Sequence, residues 1–318
     1  MKYRSSRARV VPTSDRRRRR SRAERRNLRN GLLFVCPWIV GFLAFGLYPI
    51  AMSLIYSFQR YDGLGFKPTL WVGWRNYHNI LFNDPVMIIA LKNTFYYTLI
   101  AVPLGTVLAI MVALLMNKSF KGQGIFRTII YLPYMVPVVA SALLFTWLLN
   151  PNSGLVNAIL GVLHLPQPGW MASPDWSKPA LILLAQWGLG QAALIYLSGI
   201  QGVPQDLYES AGIDGAGPIR RFFSVTLPMI SPVILYNVVI AIINSLQFFT
   251  QAFVMGGDAT GKPAQSTLFY NMYLYEQAFS YNQFGYASAL AWLLLLLTAV
   301  LTAVFLYTSR RWVYYVAS

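Results

Sequence analysis

Gln277–Ser309, QAFSYNQFGYASALAWLLLLLTAVLTAVFLYTS, contains no Asp, Glu, Lys, Arg or His. A helix needs roughly 20 predominantly apolar residues to cross the hydrocarbon core of a bilayer, and an ionisable side chain at its centre costs about 3 kcal/mol. The stretch therefore reads as a membrane span. Five more windows lack Asp, Glu, Lys and Arg: Gly31–Gln59, Asn93–Asn117, Thr128–Pro174, Pro179–Gln205 and Phe222–Gly257. The longest also holds a polar loop beginning near Asn150. Six spans follow, predicted at about 31–58, 94–116, 125–149, 179–200, 229–254 and 286–308. The fold class is all-α integral membrane, and Pro49, Pro103, Pro133 and Pro137 are predicted to bend the spans that carry them.

Composition agrees. Of 318 residues, 11% are charged and 56% hydrophobic, a balance that excludes an ordinary soluble domain. The formal charge of +16 is local, since thirteen of the 26 Lys and Arg lie in the first 30 positions, Arg16 to Arg20 in one run. Residues 1–30 thus form a basic arm, expected to be partly disordered, ahead of a membrane domain over 31–312 and a short tail at 313–318. Nucleic-acid binding would need a folded basic surface or a recognition motif, and the sequence offers neither. Only Gly31 to Val35 separate the arm from Cys36, too short a run for the apolar core of a cleaved signal, so the first span is retained.

Basic residues also set orientation, because they concentrate on the cytoplasmic side. With the arm inside, twenty fall in cytoplasmic segments and six outside: Arg60, Lys67, Arg75, Lys92, Lys178 and Lys262. Both termini are then cytoplasmic.

The windows offer no charged relay of the kind that proton-coupled pumps use, which weighs against an ion-coupled carrier. Nor is there a His or carboxylate cluster for a metal enzyme. What they carry is neutral: Gln186 and Gln191 in the fourth span, Asn244, Ser245, Gln247 and Gln251 in the fifth, with Phe248 and Phe249 between. Amides donate and accept hydrogen bonds while rings stack on sugar faces, so this set suits a polyol pathway. Amides that merely tie helices together are the competing role.

Charge returns in Val203–Pro232, VPQDLYESAGIDGAGPIRRFFSVTLPMISP. Gln205–Ile213 is predicted as a short helix entered at Pro204, Asp214-Gly215 as a turn, and Pro218–Val225 as a second helical stretch. A compact helix-turn-helix with small residues at its bend is built to dock.

The series Glu209-Ser210-Ala211-Gly212-Ile213-Asp214-Gly215-Ala216, followed by Phe222 and Leu227-Pro228, resembles the EAA loop of membrane-spanning subunits of binding-protein-dependent ABC importers. Ser210 stands where that motif usually has Ala. Further matches run over about residues 31–312, among them Cys36-Pro37-Trp38, Gly73-Trp74-Arg75-Asn76-Tyr77, Lys92-Asn93-Thr94, Leu132-Pro133-Tyr134 and Phe284-Gly285-Tyr286. These are similar to sugar-importer permeases of the maltose and glycerol-3-phosphate type. The resemblance implies a type I ABC importer permease fold in a bacterial or archaeal inner membrane, working by alternating access. It implies a heterodimer with a second permease subunit, an ATPase dimer docked at the 203–228 coupling loop, and an extracytoplasmic solute-binding protein that delivers a sugar or oligosaccharide.

In that picture Glu209, Ser210, Ala211, Asp214, Gly215, Ala216, Arg220 and Phe222 serve ATPase coupling, with Ala211 and Ala216 filling the cleft of the ATPase. Gln191, Asn244, Ser245, Gln247, Phe248 and Gln251 line the substrate pathway. The chain has no G-x-x-x-x-G-K-S/T loop, so ATP and Mg belong to the partner ATPase and the chain itself is no enzyme and binds no cofactor. A glycerol-phosphate-like ester is the alternative solute, although the spans offer no cation to meet a dianion.

Overall fold

A computed structural model describes residues 22–65 and 68–314. Residues 1–21 of the expected arm and 315–318 of the tail lie outside them. By packing the chain divides into two compact units, 1–52 and 53–318.

Helix α1 (Arg22–Phe42) starts nine residues before the predicted span, so the end of the arm is helical. A π-turn at Leu43–Leu47 joins it to α2 (Tyr48–Ser57). Pro49 has no N–H to give to the preceding turn, and that widened turn absorbs the loss. A two-residue antiparallel ladder follows, β1 (Gln59–Arg60) with β2 (Leu70–Trp71). Short α3 (Arg75–His78) then leads to α4 (Pro85–Asn117), which runs unbroken through Pro103 and starts nine residues earlier than predicted.

Next come α5 (Gln123–Met135), α6 (Val138–Leu148), α7 (Leu155–Val162), α8 (Pro174–Trp187) and α9 (Gly190–Gln201). In the predicted loop lie α10 (Gln205–Ile213), α11 (Pro218–Arg221) and α12 (Leu227–Met229). The chain finishes with α13 (Ser231–Leu246), α14 (Thr250–Gly256), α15 (Tyr270–Tyr275) and α16 (Phe284–Ser309).

Three stretches, Arg29–Ser57, α4 and α16, are each long and apolar enough to cross a membrane, and three bent pairs pass the same test together. The bends are 98° between α5 and α6, 49° between α8 and α9, and 69° between the 218–229 segment and α13. Six spans result when each pair counts as one. The predicted third span was continuous over 125–149; Pro137, which opens α6, breaks it because it cannot continue the ladder of α5. The predicted fifth span, 229–254, ends instead at Leu246, and Gln247–Phe249 form a non-helical break before α14. Arg127, inside the predicted third span, donates from Nη2 to the Met116 carbonyl at 3.0 Å and so satisfies an open group at the end of α4.

Lipid accounts for the surface. Leu99, Leu132, Leu143, Leu295 and Val300 are each at least half exposed on these helices, and apolar contact over such an area in water would drive aggregation. The interior divides along α4. Met87 to Ala101 belong to one cluster with Leu181, Leu246, Phe269 and Leu290, and Ala109 to Met116 to another with Tyr196, Ile200 and Ile230.

Motif residues pin the end of the molecule opposite the 203–228 loop. Asn76 donates from Nδ2 to the carbonyls of Ser57 (2.8 Å) and Gln59 (3.0 Å), and the Tyr77 hydroxyl donates to Ser57 Oγ at 2.7 Å. Gly285 lets α16 pass against β1, since a Cβ there would lie 2.1 Å from the Gln59 carbonyl oxygen. Asn93 Nδ2 donates to the carbonyls of Gln265 and Leu268, Thr94 Oγ1 accepts from the Tyr270 N–H, and Lys178 Nζ reaches Asn93 Oδ1 and the Ser266 carbonyl. The 257–269 loop is thereby strapped to α4 and α8.

Candidate functional site

Between the two core clusters α4 carries Gly105 and Thr106, and there a cavity of about 400 Å³ opens. Its walls come from α4, the α8–α9 break, α9, α13 and the Gln247–Phe249 break. Both breaks follow from the local chain. Gly188 and Leu189 interrupt the ladder between α8 and α9. The Gln247 carbonyl, freed at the end of α13, accepts instead from Asn271 Nδ2 at 2.9 Å. Non-helical backbone at membrane depth is tolerated where it lines a cavity or is covered by protein.

Five of the six residues predicted for the pathway line this cavity: Asn244, Ser245, Gln247, Phe248 and Gln251. Gln191 does not; it is exposed on α9 and outside the cavity wall. Gln186 is the fourth-span amide that does line it, with Nε2 donating to the Ile182 carbonyl at 3.2 Å. Sequence reading missed Tyr97, Thr106, Tyr196 and Asn237, which also line it. Each sits within an apolar helix, where nothing in the pattern marks it as lining a cavity.

One wall is aromatic. Tyr97 stacks on Phe248 with ring centroids 4.2 Å apart, and Phe269 meets both rings edge-on at 5.5 and 5.1 Å. No lining side chain is an Asp, Glu, Lys, Arg or His.

The second feature is the 203–228 loop. Helix α10 ends where Gly215 takes φ +73°, the left-handed conformation of a helix stop. The N–H groups of Asp214, Gly215 and Ala216 then return to the carbonyls of Ser210, Gly212 and Ala211. Arg221 Nε donates to the Ala216 carbonyl at 2.8 Å, and the Tyr208 and Thr226 hydroxyls share a hydrogen bond at 3.0 Å. These contacts give a folded elbow.

Glu209, Ser210, Asp214, Gly215 and Arg220 are exposed on it, while Ala211 and Phe222 are half-buried. Ala216 is buried inside the elbow, so it cannot fill a cleft on another protein. Its smallness serves the close turn instead. Glu209 makes no ion pair among the described residues, where Lys262–Asp258 is the one pair present. Of the adjacent arginines Arg221 holds the loop and Arg220 points outward. The elbow also presents two uncovered apolar residues that sequence reading missed, Ile213 at 89% exposure and Ile219 at 76%.

An all-helical membrane bundle with broken spans, an uncharged polar cavity and a folded loop beyond the spans defines a multi-pass transport subunit. Residues 101–314 match the family described as binding-protein-dependent transport system inner membrane component. The chain is 36% identical over 299 residues to the probable ABC transporter permease protein YesP of Bacillus subtilis, covering 93% of this chain and 96% of that one. It is 34% identical over 286 residues to the lactose transport system permease protein LacF of Rhizobium radiobacter, covering 89% and 94%. Among solved structures, a chain of a bacterial ABC transporter involved in import of the acidic polysaccharide alginate superposes with a TM-score of 0.78 at 27% identity, over 92% of this chain and 99% of that one.

The chain belongs to the binding-protein-dependent transport system inner membrane component family. It is a permease subunit of an ABC importer, with the type I permease fold and a non-catalytic part in transport.

Proposed function

We propose that this chain forms half of the translocation pathway for an uncharged sugar or oligosaccharide. The observation that carries the solute class is the cavity wall of amides, hydroxyls and aromatic rings with no ionised group. Relatives named for lactose, arabino-oligosaccharide and trehalose/maltose transport support it. A phosphate ester fits less well, since a dianion would enter a cavity with no cation to receive it.

A second permease subunit completes the pathway, and an extracytoplasmic solute-binding protein delivers the sugar. A solved relative is the alginate transporter in complex with an alginate pentasaccharide-bound periplasmic protein. The 203–228 elbow docks on the ATPase dimer, which binds ATP and Mg²⁺, through Glu209, Ser210, Arg220 and the exposed Ile213 and Ile219. Both termini lie on the cytoplasmic side with that elbow.

Gln247→Ala tests the pathway role. In the assembled transporter it should lower saccharide uptake roughly ten-fold, the equivalent of about 1.4 kcal/mol, with ATPase activity retained. Normal uptake would make Gln247 a packing residue only.

A further inference from the structure

Residues 118–127, KSFKGQGIFR, separate two charge-free windows and carry three cations and no carboxylate. Lys118 and Lys121 are exposed and Arg127 is half-buried. None of the three is ion-paired, Lys262–Asp258 being the one salt bridge among the described residues. Like charges on so short a segment repel one another, and an anion set among them relieves that repulsion.

The segment is a folded turn between α4 and α5. Gln123 Nε2 and Arg127 Nη2 both donate to the Met116 carbonyl, at 2.8 and 3.0 Å. Phe120 meets Phe126 edge-on with ring centroids 5.7 Å apart, and Gly122, at φ +89°, turns the chain into α5. Phe126 and Ile130 pack in the cluster of Ile200 and Ile230, against which Phe222 and Val225 of the 203–228 elbow also pack. The turn that carries the cations is thereby anchored at one place on the surface. Apolar surface adjoins it. Ile125, Ile129 and Leu132, spaced i, i+4 and i+7, form one uncovered stripe along α5, with Ile125 at 69% exposure and Ile129 at 62%.

We infer that the α4–α5 junction is a binding site for an anionic phospholipid, with its phosphate among Lys118, Lys121 and Arg127 and an acyl chain along Ile125 and Ile129. The charge-free windows end at Asn117 and resume at Thr128, which puts the cations at the depth of the headgroups and the stripe beside hydrocarbon. Charge complementarity selects the headgroup: a zwitterionic lipid brings an ammonium that three cations repel, whereas an anionic one brings none. The orientation proposed above makes the leaflet the cytoplasmic one, and that part of the inference rests on it.

Brominated-lipid quenching tests the site in the assembled transporter, held in phosphatidylcholine nanodiscs on a Cys36→Ser background. A fluorophore on Ile125→Cys reports the junction, and one on Leu99→Cys, in the middle of α4, reports bulk lipid. Brominated phosphatidylglycerol should occupy the junction about five-fold more readily than brominated phosphatidylcholine, or more, with no preference at position 99. Lys118→Gln combined with Lys121→Gln should remove most of that preference. Equal quenching of the Ile125→Cys label by the two lipids, or a preference undiminished in the double variant, would overturn the site. Quenching at 99 with none at 125 would also overturn it, by showing that protein covers the junction. Excess inorganic phosphate should change nothing; loss of the preference on its addition would make this a site for a free anion and overturn the lipid assignment. A membrane-impermeant thiol reagent applied to intact cells should leave Lys118→Cys unmodified. Modification from outside would overturn the orientation and the choice of leaflet, while the quenching result still decides the headgroup site.

Discussion

Asp84 shows what one carboxylate does at a junction of three helices. Its Oδ1 accepts from the N–H groups of Val86 and Met87, both at 3.0 Å, and so caps α4. Its Oδ2 accepts from the hydroxyls of Tyr273, at 2.6 Å, and Tyr286. Burial, then the hydrogen bond to Asp84 and its charge, push the Tyr273 phenol well above its ordinary range, which keeps it the donor. Asp84→Ala should cost the cap, about 1 kcal/mol, and strand two phenols at about 1–3 kcal/mol each. A loss of roughly 3–7 kcal/mol in denaturant unfolding is expected, with Asp84→Asn between it and wild type because the amide oxygen still caps. A neutral Asp84→Ala would show that the junction is held by packing alone. In the sequence Asp84 is one more loop carboxylate, because its two phenols are 189 and 202 residues away.

At the scale of elements, each charge-free window overlaps one of the three long apolar stretches or one of the three bent pairs, since the cost of an ionised group in lipid acts on every residue of a window at once. Where helices break was less legible. Of the four prolines predicted to bend spans, Pro137 opens a 98° bend, whereas Pro103 stays within unbroken α4 and Pro133 within α5. The breaks that shape the cavity fall at Gly188-Leu189 and Gln247–Phe249. The second depends on Asn271, from a distant part of the chain, taking the freed Gln247 carbonyl. The 203–228 loop was more readable because its signals are local: Pro204 ahead of α10, Asp214-Gly215 at its stop. Gly215→Asp puts a side chain where φ is +73°, at about 1–2 kcal/mol of backbone cost, and adds a charge on the exposed bend. Membrane insertion should persist while transport is uncoupled from ATP hydrolysis, measured as ATPase activity without uptake. Wild-type uptake by that variant would remove the loop from coupling.

For the whole molecule the informative quantity is where charge is absent. Most of the excess of +16 lies in residues 1–30, which the proposed orientation puts on the cytoplasmic side. No Asp, Glu, Lys, Arg or His lines the cavity, and the proposed function has the energy for uphill transport enter from the partner ATPase. The folded 203–228 elbow, with Ile213 and Ile219 uncovered, is where the account has it enter. The family was legible from that loop because its motif is short and contiguous in the sequence. The cavity wall is assembled from single residues on separate helices, and seven of its polar and aromatic positions, Gln186, Asn244, Ser245, Gln247, Phe248, Phe249 and Gln251, were named from the sequence.

Uptake into proteoliposomes tests this most directly: the assembled transporter, solute-binding protein and labelled saccharide outside, ATP enclosed within, and ion gradients collapsed by ionophores. The account predicts accumulation that needs both enclosed ATP and the binding protein and is indifferent to the ionophores. Accumulation by this chain on an ion gradient, without ATP or ATPase, would contradict it.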